Sequence, residues 1–224
     1  MWFINQIFQT LLRPAKAILA QGCFDRGCYY CGQGRFGDAK SVFEDAGRFN
    51  RGYAKAQYGL GVVLNRLGRY QEAIDALNRA INIDPDCSVA YYALGLAYQR
   101  LGLYRQSVDC LREVVHRQAD NAAAFLNLGL AYTKLGLYAE AADAYKSVTA
   151  LKPYFAEGYF LLASANEMLG EHQQALQAYR QAIRIKPDFT EALARIDIGS
   201  RAALEDSAPE ICDVVKSLSE KMSG

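Results

Sequence analysis

The stretch AYYALGLAYQRLGLY, residues 90–104, has two counterparts that align with it without a gap. They are AAFLNLGLAYTKLGLY at 123–138 and AKAQYGLGVVLNRLGRY at 54–70. Gly61, Gly95 and Gly129 are 34 residues apart, and the same interval separates Gly68, Gly102, Gly136 and Gly170. Pro85, Pro153 and Pro187 share one phase of that period, with Ala119 in the vacant slot. Carried backwards, the phase reaches Gly34, Phe36, Ala39, Phe43 and Ala46. A fixed period of this length is the mark of a repeat architecture. It divides the chain into five consecutive units: 20–53, 54–87, 88–121, 122–155 and 156–189.

Each unit carries two stretches of apolar residues at helical spacing. In the third they are Tyr91, Leu94, Leu96 and Tyr98, then Val108, Leu111, Val114 and Val115. A Leu-Gly-Leu-Tyr turn separates them, and Pro or Asp-Pro-Asp closes most units. Glycine permits the left-handed residue that ends the first helix, and proline cannot continue the second. One unit is thus a helix–turn–helix hairpin that cannot bury its own apolar faces. Stacking five of them makes a continuous core and a superhelical α-solenoid.

The pattern resembles that of the tetratricopeptide repeat family: an apolar or aromatic residue, Leu-Gly, Tyr, Ala, an aromatic, Ala and Pro. In the fourth unit Phe125, Leu128, Gly129, Tyr132, Ala141, Tyr145 and Pro153 carry it. The fifth departs from it with Ala163 for Gly and Asn166 for Tyr. The first departs most, with Arg26 in the core slot of Leu and Arg51 in that of Pro. The resemblance covers residues 20–189. It implies an all-α fold, a right-handed α-solenoid of stacked hairpins with N- and C-terminal capping helices. The tyrosine excess, fifteen beside one Trp, follows from the same slots. Tyr30, Tyr98 and Tyr132 share one, Tyr70, Tyr104 and Tyr138 another, and Tyr145 and Tyr179 a third, where large rings wedge between helices.

Composition narrows the chemistry. Lys+Arg 25 against Asp+Glu 24 leaves a net charge of +1, so no global field attracts nucleic acid. Gly32-Gln-Gly-Arg-Phe-Gly37 is a literal G-x-G-x-x-G, but a helix of the first unit precedes it where a dinucleotide site needs a buried strand. Cys23, Cys28 and Cys31 echo an iron–sulfur spacing without a fourth ligand, and no His lies nearby to complete a zinc site. Cys28 and Cys31 lie one helical turn apart, about 5–6 Å between Cβ atoms, too far for a disulfide in an intact helix. Reduced thiols in a cytoplasmic protein are the expectation, with His116 and His172 structural. Neither an enzyme nor a bound cofactor or metal is expected.

Function then falls to a surface. The family resemblance implies that the first helix of each hairpin lines a concave groove. Its expected lining is Phe24 and Cys28; Tyr58, Val62 and Arg66; Tyr92, Leu96 and Arg100; Leu126, Leu130 and Lys134; and Phe160. Family members that clamp the acidic tails of heat-shock chaperones use Lys and Asn in such slots, and here only Asn127 matches. An apolar ladder beside a basic column suits an amphipathic or hydrophobic partner segment carrying some acid. The expected function is a non-enzymatic scaffold or adaptor supporting complex assembly. The alternatives are a chaperone-like holder of secretion or membrane substrates and a metal or redox module using the N-terminal cysteines.

Both ends lie outside the repeats. Residues 1–19 place Ile4, Ile7, Phe8, Leu11, Ala15, Ile18 and Leu19 on one helical face, with Pro14 expected to kink or divide the helix. Capping the first unit, filling a groove in self-assembly and peripheral membrane contact compete as its use. The segment is too interrupted to cross a membrane. Residues 190–224, starting with Thr190 as an N-cap, are expected to form capping helices.

Overall fold

The computed structural model describes residues 2–187, so the expected cap at 190–224 lies outside the described residues. Among them are ten helices and no strand. They are α1 (Trp2–Gly32), α2 (Phe36–Phe49), α3 (Ala54–Arg66), α4 (Tyr70–Ile83), α5 (Ser88–Arg100), α6 (Tyr104–Arg117), α7 (Ala122–Lys134), α8 (Tyr138–Leu151), α9 (Ala156–Met168) and α10 (His172–Ile185). The described residues form two compact units, one ending at Ala119 and the other beginning at Asp120. In the first, three hairpins stack: α2 packs on α3 and α4 on α5, while α1, α3 and α5 touch in succession. In the second, α8 packs on α9 between the hairpins α7–α8 and α9–α10.

Each hairpin turns through one left-handed glycine. At Gly102 φ is +74°, a conformation that costs an L side chain about 1–2 kcal/mol. The N–H of Leu103 then donates to the carbonyl of Tyr98 at 2.9 Å and that of Gly102 to Gln99 at 3.0 Å, capping the end of α5. Gly34, Gly68, Gly136 and Gly170 repeat the geometry.

A second glycine lets the paired helices approach. A Cβ on Gly61 would stand 2.5 Å from Leu77 Cγ, and one on Gly129 would stand 2.5 Å from the Tyr145 ring. Leu77 and Tyr145 are fully buried, so neither has room to retreat. Gly27 makes the same approach to Phe43 one period earlier, a match that the alignment through Gly34 and Phe36 passes over. In the last hairpin Ala163 takes this place opposite Tyr179. Arg26, assigned a core slot by the repeat, is exposed. The equivalent Leu60 and Leu94 are buried in the core of the first unit.

Pro14 lies inside α1 and does not divide it. Proline removes one backbone hydrogen bond, and the helix continues on those around it. From residue 13 onward the first buried residue is Ala20; Ile18 is 72% and Leu19 50% exposed.

Three substitutions test this packing. Gly61→Ala should lower stability by about 1–3 kcal/mol by overpacking Leu77. Gly37→Ala, in α2 with nothing within 4 Å, should raise it by about 0.5 kcal/mol in the same urea titration. Ser107 holds the slot of Ala39, Ala73, Ala141 and Ala175, and its hydroxyl is buried without a hydrogen-bond partner. Ser107→Ala should therefore stabilise by about 1 kcal/mol and raise the melting temperature by a few degrees.

Candidate functional site

The first unit brings half of the expected groove residues to one place. On α3, Tyr58, Val62 and Arg66 follow one another at intervals of four residues; on α5, Tyr92, Leu96 and Arg100 do the same. Residues at that spacing share a helix face. Because α3 and α5 are neighbours, the two rows meet across a pocket of ≈ 380 Å³. Asn65, Tyr70, Val89 and Ala93 complete its lining. Leu94, one position beyond Ala93, turns the other way into the core at 3% exposure.

The pocket is apolar at one end and cationic at the other. Burial pushes the phenols of Tyr58 and Tyr92 above the usual tyrosine range, so both are neutral hydroxyls at physiological pH. Arg66 and Arg100 are the last residues of α3 and α5, where a cation also meets the negative end of the helix dipole. No acidic residue lines the pocket. At its floor, Asn65 Nδ2 donates to the carbonyl of Ala93 at 3.0 Å and ties α3 to α5. That bond fixes the amide's orientation and leaves Oδ1 buried without a donor. Asn65 and Tyr70 escape a reading of one helix face at a time: the first bridges to the next hairpin, and the second opens α4.

The other expected residues lie elsewhere. Phe24 is half-buried, its ring centroid 5.6 Å from that of Phe43 and 5.8 Å from that of Tyr53, so it fills the core of the first hairpin. Cys28 is exposed and outside the pocket. In the second unit, Leu126 and Phe160 pack against its core, with the Phe160 and Tyr179 centroids 5.6 Å apart. Leu130 is 37% exposed, and Lys134 is exposed at the end of α7.

The thiols are poorly placed for chemistry. Cys23, Cys28, Cys31, Cys87 and Cys110 are all unbonded. Burial, reinforced by Asp25 at Cys28 and by Cys28 at Cys31, raises both thiols of that pair. Cys110 is pushed up to about 12 by burial, Asp109 and Glu113. Raised thiols are protonated at neutral pH, whereas nucleophiles and metal ligands are thiolates. Among the described residues no three His, Cys, Asp or Glu side chains gather as a metal site. His116 shares a shallow depression on α6 with Asp109, Arg112 and Glu113, a solvated face of mixed charge.

Family models described as TPR repeat and tetratricopeptide repeat match residues 63–102, 92–154 and 156–189. No curated protein matches the sequence. Among solved structures, YrrB, described as a TPR protein with an unusual peptide-binding site, is 22% identical with a TM-score of 0.71, over 83% of this chain and 95% of that one. MamA from Desulfovibrio magneticus RS-1 is 21% identical with a TM-score of 0.69, over 77% and 96%. Another MamA structure is 23% identical with a TM-score of 0.69, over 74% and 96%. At these identities the likeness is one of fold.

Proposed function

Since the chain belongs to the tetratricopeptide repeat family, we propose that it is a non-enzymatic scaffold or adaptor that docks segments of partner proteins and supports complex assembly. The observation that carries this is the pocket between α3 and α5, with Tyr58, Val62, Tyr92 and Leu96 beside Arg66 and Arg100. Such a surface offers a partner apolar area to bury and charge to orient it, and it offers substrate chemistry neither an activated nucleophile nor an acid–base pair. YrrB, which shares the fold, has a peptide-binding site. Within the second unit, Leu126, Leu130, Lys134 and Phe160 are proposed to line a docking face of their own, and in the first unit the groove is proposed to continue past Phe24 and Cys28. The unbonded cysteines support a reducing, cytoplasmic setting. No described helix is long and apolar enough to cross a membrane.

The exposed Ile18 and Leu19 support a second element of the proposal, self-association through α1.

Capture of partners from cell extract on immobilised wild-type protein and on Tyr92→Ala/Leu96→Ala tests the docking. A few stoichiometric partners should bind the wild type and lose about 2 kcal/mol, roughly thirtyfold in Kd, on the variant. Leu94→Ala should cost about 2–5 kcal/mol of stability, more than the groove pair, because it opens a cavity in the core. Many unrelated unfolded clients would replace the scaffold with a chaperone-like holder; capture unaffected by the pair would remove the groove. Deletion of residues 1–19 should shift the protein to smaller species in size-exclusion chromatography. An unchanged elution profile would leave α1 no part in assembly.

A further inference from the structure

The pocket between α3 and α5 holds two arginines that no acidic side chain neutralises, in contrast to four others among the described residues. Arg35 is paired with Asp38 at 2.7 Å, Arg48 with Asp45 at 2.9 Å, Arg69 with Glu72 at 2.6 Å and Arg117 with Asp86 at 2.6 Å. Arg66 and Arg100 have no ion pair, hydrogen bond or ring contact among the described residues. The helix dipole accounts for a cation at the end of each helix. It does not account for two of them meeting at one apolar pocket with no acid in its lining. Two guanidinium groups over a partly desolvated surface form a receptor for a carboxylate, which each can bind through paired N–H donors.

The dimensions say how such a carboxylate is presented. Tyr58 and Tyr92 precede Arg66 and Arg100 by eight residues, about 12 Å along the helix axis at 1.5 Å per residue. Side chains on a helix lean toward its N-terminus, tyrosine and arginine alike, so rings and guanidinium groups keep about that spacing. An extended peptide at about 3.3 Å per residue covers it in about three to four residues. One large side chain and a short extended stretch fit a pocket of ≈ 380 Å³.

Resting on the docking function proposed above, we infer that this pocket reads an extended acidic peptide by two features: one large apolar side chain seated between Tyr58 and Tyr92, and a carboxylate about three residues away held by Arg66 and Arg100. The apolar part supplies the anchor and the carboxylate fixes direction and register. An acidic segment without an apolar residue lacks the anchor. A hydrophobic segment without acid leaves both cations to water.

The test is a titration of the full-length, isotope-labelled protein, followed by NMR, with synthetic nonapeptides of Ser and Gly. The probe carries one Phe and one Glu three residues apart; three controls carry Phe with Gln, Ala with Glu, or Phe and Glu side by side. The Phe–Glu probe should shift resonances of α3 and α5 and bind at least tenfold more tightly than every control. Its affinity should fall at least tenfold on Arg66→Gln/Arg100→Gln, which alters only exposed side chains, and should weaken with added salt. Equal binding of the Gln and Glu peptides would overturn the carboxylate site and leave docking intact. No binding of any peptide at millimolar concentration would overturn the anchor; docking would still stand if captured partners depend on Tyr92 and Leu96, and would fall with the anchor if they do not.

Discussion

The close approach of the two helices within each hairpin is the contact on which the rest depends. It requires a small residue opposite a large one: Gly27 against Phe43, Gly61 against Leu77, Gly95 against Leu111 and Gly129 against Tyr145, with Ala163 against Tyr179 in the last hairpin. The large residue fills the space that the glycine leaves, and the pair sets the separation of the helices. Within the first unit, that separation governs how the next hairpin seats, since α2 meets α3 and α4 meets α5 through the same buried rows. The face of each first helix opposite these contacts is left for solvent or a partner.

Polar groups near the turn follow the choice of large residue. Where it is tyrosine, a partner stands twelve residues earlier: Tyr145 with Thr133 at 3.1 Å, and Tyr179 donating to Glu167 at 2.9 Å. Where it is Leu77, the equivalent Asn65 has no phenol to meet and bonds across to Ala93 in the next hairpin. A buried hydroxyl needs a partner, and one slot supplies it in either form. The diversion of Asn65 stiffens the floor of the pocket between α3 and α5. The same rule identifies Ser107, whose buried hydroxyl finds no partner, as a place where the repeat departs from its own packing logic.

Much of this was legible in the residues. Glycine at a fixed interval announces both the left-handed turn, which side chains rarely adopt without strain, and the helix contact, which needs a small residue. The groove faces of α3 and α5 were legible too, since residues four apart must share a side and Leu94 must then point into the core. The first unit was less so. Gly27 lies in phase with Gly61, and Arg26 falls in a slot that is buried at Leu60 and Leu94 but exposed at Arg26. Burial at that slot is set by contacts between helices, and no local pattern encodes it.

The sequence by itself determined the period, the hairpins, the all-α class and which face of each helix is apolar. These follow from short-range sterics and helical spacing, properties of a few adjacent residues. Tertiary structure alone decided that Phe24 serves the core while Tyr58 and Tyr92 line an opening, although all three occupy one slot of the repeat. It also decided that α1 continues through Pro14, and that Arg66 and Arg100 meet at one pocket with no acid in its lining. Exposure and pairing are set by what other segments bring to the same place, and contacts between residues far apart in the chain carry that information.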